Sequence, residues 1–200
     1  GLKEKDLMGI PWRVAFALQE DGWYLRQDII WHKPNPMPES VKDRCTKAHE
    51  YIFLLSKNSH YYFDHEAIQE EASQNRWGGK TPINVDNSKD KENVFNGLTR
   101  ERDMMPETKN KRSVWTVNTK PYKEAHFAVF PTDLIEPCIK AGCPKDGHVL
   151  DPFGGSGTTG LVADRLNRNA TIIELNKDYV EIAEDRLMGE TPLFTKVKVL

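Results

Sequence analysis

The residues from Asp151 to Gly160, DPFGGSGTTG, gather the groups in this chain best suited to hold a charged ligand. Gly155, Gly157 and Gly160 form a Gly-x-Gly-x-x-Gly loop between an apolar run, 148–153, and a helix-forming run, 157–168. A loop so placed aims backbone N–H groups from Gly154, Gly155, Ser156, Gly157 and Thr158, with the helix dipole, at an anion. Glu174 closes the next apolar run, 23 residues beyond Asp151, where an acid meets the two hydroxyls of a ribose. Up to this point NAD and other adenosine cofactors are served equally. Three features go against NAD. Asp151 ends the first run just ahead of the glycines, where it repels a pyrophosphate and attracts an ammonium. Only about 25 residues follow Glu174, too few for a second mononucleotide half. A helix opened by Phe130-Pro131 precedes the first run. A ligand with an amino acid at one end and a ribose at the other fits all three, and S-adenosylmethionine is such a ligand. Phe153 or Phe130 could add apolar or cation–π contact to it. The competing reading is a glycine turn that only lets helix and strand pack closely.

The elements around this loop alternate. PTDLIEPCIKAG predicts a helix with Thr132 or Asp133 as N-cap, an apolar stripe of Leu134, Ile135, Cys138 and Ile139, and Gly142 as its stop. HVLDPF (148–153) and ATIIEL (170–175) read as buried strands. Residues 157–168 and 177–189 read as helices, the first turning Leu161, Val162 and Leu166 inward. The β-α-β-α order predicts a parallel sheet covered by helices. Nearer the N-terminus, IPWRVAFALQEDG predicts a short helix ended by Gly22, and WYLRQDIIWHK (23–33) a strand stopped by Pro34-Asn35-Pro36. HEYIFLLSK (49–57) has the length of a strand, with SHYYFD (59–64) as its expected partner.

Three regions follow: α/β structure over 1–70, a polar stretch over 71–121, and the cofactor half over 122–200. The middle region is rich in Asn and Gly. Its second half leans basic, with seven Lys/Arg against three Asp/Glu between Arg100 and Lys123, interleaved with Trp115 and Tyr122. A loop of this length is uncommon in a compact domain unless it binds something, so nucleic acid stands beside a plain solvated insertion. Arg100, Arg102, Lys109, Lys111 and Arg112 would there meet phosphates, although for any one of them surface solubility serves as well. Trp77 and Trp115 fit either a core or a stacking role. Lys33, Asn35 and Arg44 lie in the Pro-rich loop after a strand end, the side on which open α/β sheets bind ligands. They are assigned to DNA-backbone or target-strand contact, against a solvated loop. His49-Glu50 reads as structural.

The hydrophobic share of 38% beside 29% charged residues indicates a soluble globular chain, and no apolar run approaches the roughly 18 residues of a membrane span. Cys45, Cys138 and Cys143 suggest a reducing compartment, and their spacing with His126 or His148 fits no zinc pattern.

At these motifs the chain resembles the amino-DNA methyltransferases, which methylate N4 of cytosine or N6 of adenine, in the permuted subgroup whose catalytic half precedes its cofactor half. HFAVFPTDLIEPCIKAG resembles the family's His-Pro-x-x-[Lys/Phe]-Pro helix, with Phe127 where proline is usual. DPFGGSGT resembles its Asp-Pro-Phe-x-Gly-Ser-Gly-Thr loop, IIELN its acidic strand, and WHKPNPMPESVKDRCTKAHE the segment after the catalytic loop. The likeness covers residues 1–70 and 111–189. It implies the Rossmann-like sheet of S-adenosylmethionine-dependent methyltransferases, here incomplete, with 71–121 as a target-recognition insertion. It also implies His126 beside the cofactor, duplex DNA as substrate, no membrane and no metal. A homodimer, a restriction endonuclease partner and a bacterial or phage-encoded cytoplasmic setting accompany it.

The family works through an Asp/Asn/Ser-Pro-Pro-Tyr/Phe tetrapeptide, and these 200 residues contain no Pro-Pro pair. Its acceptors bond the hydrogens of a weakly nucleophilic base amine while its ring stacks on the flipped base. No residue here takes those roles. The expectation is a chain starting just after the tetrapeptide, with a strand missing from the middle of its sheet. Such a chain alone is expected to be unstable or to self-associate through the two exposed edges. An inactive cofactor- or DNA-binding remnant is the alternative.

Overall fold

The computed structural model describes residues 1–72, 107–120, 129–190 and 198. It divides into two compact units, one of residues 1–68 with 112–200 and one of residues 69–111.

In the first unit, helix α1 (Ile10–Glu20) begins with proline in its first turn and ends at Gly22, whose φ of 100° lets the chain reverse. Its Trp12 packs edge-on against Tyr51 and Phe53. Those two rings belong to β2 (His49–Ser56), which pairs antiparallel with β1 (Tyr24–His32), Ile29 lying opposite Ile52. Strand β5 (Val114–Thr116) lies parallel to the other edge of β1, covering only Ile30 to His32. β1 alternates so that Ile29 and Trp31 are buried, as its period of two requires. They form a core with Trp115 and Leu134, and Trp31 Nε1 donates to the Val117 carbonyl at 2.8 Å. Trp115 is therefore a core residue. Residues 59–64 form no strand; the partner of β2 is β1, and the Asp64 N–H donates to the Ala141 carbonyl.

Helix α2 (Thr132–Gly142) joins two cores, with Leu134 in the first and Ile139 in a second made with Cys143, Val162 and Ala163. Pro131, in extended geometry, is its N-cap, and no side chain caps the helix. Neither Thr132 nor Asp133 serves, because the Asp133 carboxylate accepts from Lys120 (2.6 Å) and from the Thr132 hydroxyl. The Lys120 hydrogen bond leads the effects that lower the Asp133 pKa.

β6 (His148–Asp151), α3 (Thr158–Arg165), β7 (Asn169–Ile172) and α4 (Lys177–Glu190) complete the unit, β6 and β7 pairing in parallel from His148↔Asn169 to Asp151↔Ile172. The expected strands are less buried than their apolar sequences predict: Leu150 in β6 is 61% exposed, and Leu175, beyond the end of β7, is 97% exposed. Full burial requires cover on both faces. α3 packs on β6 and β7, and among the described residues no further strand pairs with either. The sheet is thus incomplete, in two separate pieces of three and two strands.

Arg168 stands where α2 and α3 end. Its Nε and Nη2 donate to the Cys143 carbonyl at 3.2 and 3.0 Å, and Nη1 donates to the Leu166 carbonyl. Both acceptors are C-cap residues, so one guanidinium satisfies carbonyls at two negative helix ends. Arg168→Met is expected to destabilise by roughly 1–3 kcal/mol, the penalty for leaving such acceptors unpaired. The check is a denaturant midpoint; an unchanged midpoint would show the cap to be idle.

The second unit, described at both ends, contains β3 (Glu70–Glu71) paired antiparallel with β4 (Thr108–Lys109), with Lys109 3.4 Å from the Glu70 carboxylate. Residues 113–117 run along β1 instead, Ile30 N–H donating to Ser113 and Val117 N–H to His32. Among the described residues no helix is long and apolar enough to cross a membrane.

Candidate functional site

β6 ends on Asp151, whose two carboxylate oxygens accept from the Phe153 N–H (3.0 Å) and the Thr159 hydroxyl (2.5 Å). The chain then turns. Gly154 N–H donates to the Ile173 carbonyl, which docks the turn just past the end of β7 and next to Glu174, and Gly157 N–H closes the turn on Gly154, both at 2.9 Å. Glu174 closes the arrangement, accepting Gly155 N–H at 2.8 Å and Asn176 N–H at 2.9 Å on its two oxygens. The Asn176 side chain accepts from Asp178 N–H, so the same short segment starts α4. The Asn176 and Gly155 N–H groups, in that order, hold the Glu174 carboxyl below its ordinary pKa and keep it ionised.

The glycines are used unequally. Gly155 (φ 51°) and Gly157 (φ 76°) supply left-handed backbone that a side chain would strain. Gly154 and Gly160 supply room, because a Cβ at Gly154 would come to 1.7 Å of Ile172 Cγ2 and one at Gly160 to 2.4 Å of Ile172 Cδ1. Close packing is therefore part of the motif's purpose. The acids brace the turn as well, accepting its Phe153 and Gly155 N–H groups, and they place two carboxylates beside the head of α3. Each carboxylate oxygen can accept more than one hydrogen bond, which leaves lone-pair capacity for the hydroxyls or ammonium of a ligand. Between them the first N–H groups of α3 have no acceptor one turn back, and they carry the positive end of the helix. The arrangement can hold a molecule that presents an anion, a cation and a diol together.

The expected residues separate. Asp151, Gly154 to Thr158 and Glu174 converge on the turn, but the N–H groups of Gly154, Gly155 and Gly157 are taken by Ile173, Glu174 and Gly154, which narrows the expected anion donors to Ser156 and Thr158. Phe153 leaves it, 87% exposed, whereas Phe130 packs on the core of Ile29, Trp31, Trp115 and Leu134. His126, Phe127, Trp77, Arg100 and Arg102 lie outside the described residues. Lys33 forms an ion pair with Glu50 and sits 4.4 Å from the Trp31 ring centroid. Asn35 donates to the Thr119 carbonyl and accepts Thr119 N–H, pinning the Pro-rich loop. Arg44 reaches Glu39 at 2.6 Å and the Cys45 carbonyl. Lys111 and Arg112 fall at the junction of the two units, and the Arg112 carbonyl accepts from Trp115 Nε1. Thr159, Ile172, Asn176 and Arg186 also build the site. Only Asn176, just ahead of a helix-forming run, carried a readable sequence signal.

Residues 3–185 match the N6_N4_Mtase family model, described as DNA methylase. The chain belongs to this DNA methylase family. It is 52% identical over 190 residues to the Type II methyltransferase M.Cfr9I of Citrobacter freundii, covering 95% of this chain and 53% of that protein. To the Type II methyltransferase M.SmaI of Serratia marcescens it is 50% identical, covering 94% and 54%. The chain thus spans about half the length of these relatives. Among solved structures, the cytosine-N4-specific PvuII DNA methyltransferase superposes with a TM-score of 0.65 at 20% identity, covering 100% of this chain and 63% of that one. The M1.HpyAVI–SAM complex gives 0.59 at 24% identity, covering 91% and 71%. At these identities the superpositions establish the fold, which is that of the DNA methyltransferases.

Proposed function

We propose that the chain carries the S-adenosylmethionine site of a site-specific DNA amino-methyltransferase, one that methylates N4 of cytosine or N6 of adenine. The observation that carries this is the glycine turn at the head of α3, held between Asp151 and Glu174 by hydrogen bonds to both acids. When bound, the cofactor supplies an electrophilic methyl on a sulfonium. The chain's own part is binding and orientation: the N–H groups of Ser156 and Thr158 at the head of α3 for the carboxylate, Asp151 for the ammonium, Glu174 for the ribose hydroxyls. Type II methyltransferases at half-identity or better support the same reading. The partner is then duplex DNA, with a restriction endonuclease and a homodimer as further proposals.

Within the stretch 71–121, the basic residues Arg100, Arg102, Lys109, Lys111 and Arg112 are proposed as the phosphate contacts of the recognition element. Lys33, Asn35 and Arg44 already hold Glu50, Thr119 and Glu39, and a phosphate would meet the donors that remain on the ammonium and the guanidinium. An inactive cofactor- or DNA-binding remnant is the second reading.

Calorimetric titration tests the first reading. S-adenosylhomocysteine is expected to bind and NAD to leave its isotherm unchanged; displacement by NAD would refute the assignment. Transfer of labelled methyl to duplex DNA by the full-length protein separates enzyme from remnant.

A further inference from the structure

Resting on that cofactor reading, we propose that Arg186 is a positioning residue for the anionic end of the cofactor, acting through Ser156 and Thr158. Its Nη1 donates to Thr158 Oγ1 at 2.9 Å and to the Ser156 carbonyl and Oγ at 3.3 Å each. The residue lies on α4, three positions after Ala183, and so on the same helix face. Ala183 is where α4 closes on the turn, since a Cβ at Gly157 would stand 2.9 Å from its methyl. α4 therefore grips the turn twice, by a close contact and by one charged guanidinium nitrogen.

The consequence is one of direction. A hydroxyl oxygen that accepts from a guanidinium turns its own hydrogen away and becomes a stronger donor. Ser156 and Thr158 thus have their O–H groups aimed away from Arg186, on the stretch whose backbone N–H groups serve an anion. Both residues are nearly dry, at 4% and 3% exposure, where such polarisation is weakly screened. The electrostatics agree. A cation beside the positive end of α3 is unfavourable by itself and favourable once a carboxylate arrives there. Glu174 governs the ribose end of the ligand, so Arg186 and Glu174 are expected to act on opposite ends of one molecule.

That division supplies the test. Two probes are titrated calorimetrically into the full-length protein: S-adenosylhomocysteine, and 5′-methylthioadenosine, which keeps the nucleoside and lacks the amino-acid end. Arg186→Met is expected to weaken S-adenosylhomocysteine by about tenfold or more, the loss of a charge-assisted contact. Methylthioadenosine binding should stay within about twofold of the parent, because its contacts do not pass through Arg186. Arg186→Lys keeps a charged N–H donor on a shorter stem and should recover part of the loss. It also stands in if the Met variant does not fold, its own prediction being a selective weakening of S-adenosylhomocysteine. Equal weakening of both probes would make Arg186 a brace of the fold and overturn the proposal, as would no weakening of either. If the unsubstituted protein binds neither probe, the cofactor reading itself fails, without reference to any substitution.

Discussion

Gly154→Ala is expected to abolish cofactor binding and to lower stability by roughly 1–3 kcal/mol or more, the range for overpacking a filled site. The added Cβ would stand 1.7 Å from Ile172 Cγ2 and 3.3 Å from Ile172 Cβ, with the Ile173 carbonyl at 3.5 Å. Rotation does not relieve this. Ile172 branches at Cβ and has few χ1 choices, and its Cδ1 already occupies the space beside Gly160. The chain must therefore pull the turn off β7. That motion would stretch the Gly154 N–H bond to Ile173 and carry Gly155 N–H away from Glu174. Stability and ligand binding are thus lost by one displacement, and the cure is to shorten the obstructing side chain. The double variant Gly154→Ala with Ile172→Ala should regain binding relative to the single variant. Its stability should still fall below the parent, because a cavity replaces the Ile172 side chain. Denaturant midpoints and S-adenosylhomocysteine titration check both statements. A single variant that binds like the parent would show that the packing of the turn is irrelevant to the site.

Glu174→Gln carries the second large effect. The amide keeps one oxygen and presents an NH2 group to the other partner, so either Gly155 N–H or Asn176 N–H loses its acceptor. A hydroxyl of the bound ribose would also lose a charged acceptor, worth roughly 1.5–3 kcal/mol, or about 10- to 100-fold in affinity. The pH dependence has a definite sign. Glu174 is lowered from 4.5 by the N–H groups of Asn176 and then Gly155, so the folded state favours its ionised form. Its contribution to stability is therefore complete above the free carboxyl value of 4.5 and disappears as pH falls through the lowered folded value. The Gln variant lacks this acidic limb. The gap in denaturation midpoint between parent and variant should accordingly be constant at neutral pH and narrow below about 4.5. A gap independent of pH down to strongly acidic solution would remove Glu174 from the turn's electrostatics.

Much of this was legible in the residues, and the reason is the range over which each signal acts. The helices at 10–20, 132–142, 158–165 and 177–190 and the strands at 24–32, 49–56, 148–151 and 169–172 follow from periodicity, glycine stops and β-branched runs. The turn with its two acids was also readable, because a strand–turn–helix–strand unit sets Asp151 and Glu174 at adjacent strand ends through chain connectivity alone. Other features depended on partners far away in sequence. Asn35 meets Thr119 across 84 positions, and Trp31 reaches Val117 across 86. Pattern within a window cannot foresee such pairs, nor that Lys33, Asn35 and Arg44 find partners inside the chain. Nor could it separate Phe130, packed into a core, from Phe153, turned to solvent. Residue type alone fixed what the turn could bind. Only the three-dimensional packing decided which glycines make room for Ile172, which make the bend, and that α4 brings Arg186 onto Ser156 and Thr158, because contact between distant segments is a property of the folded surface and not of local order.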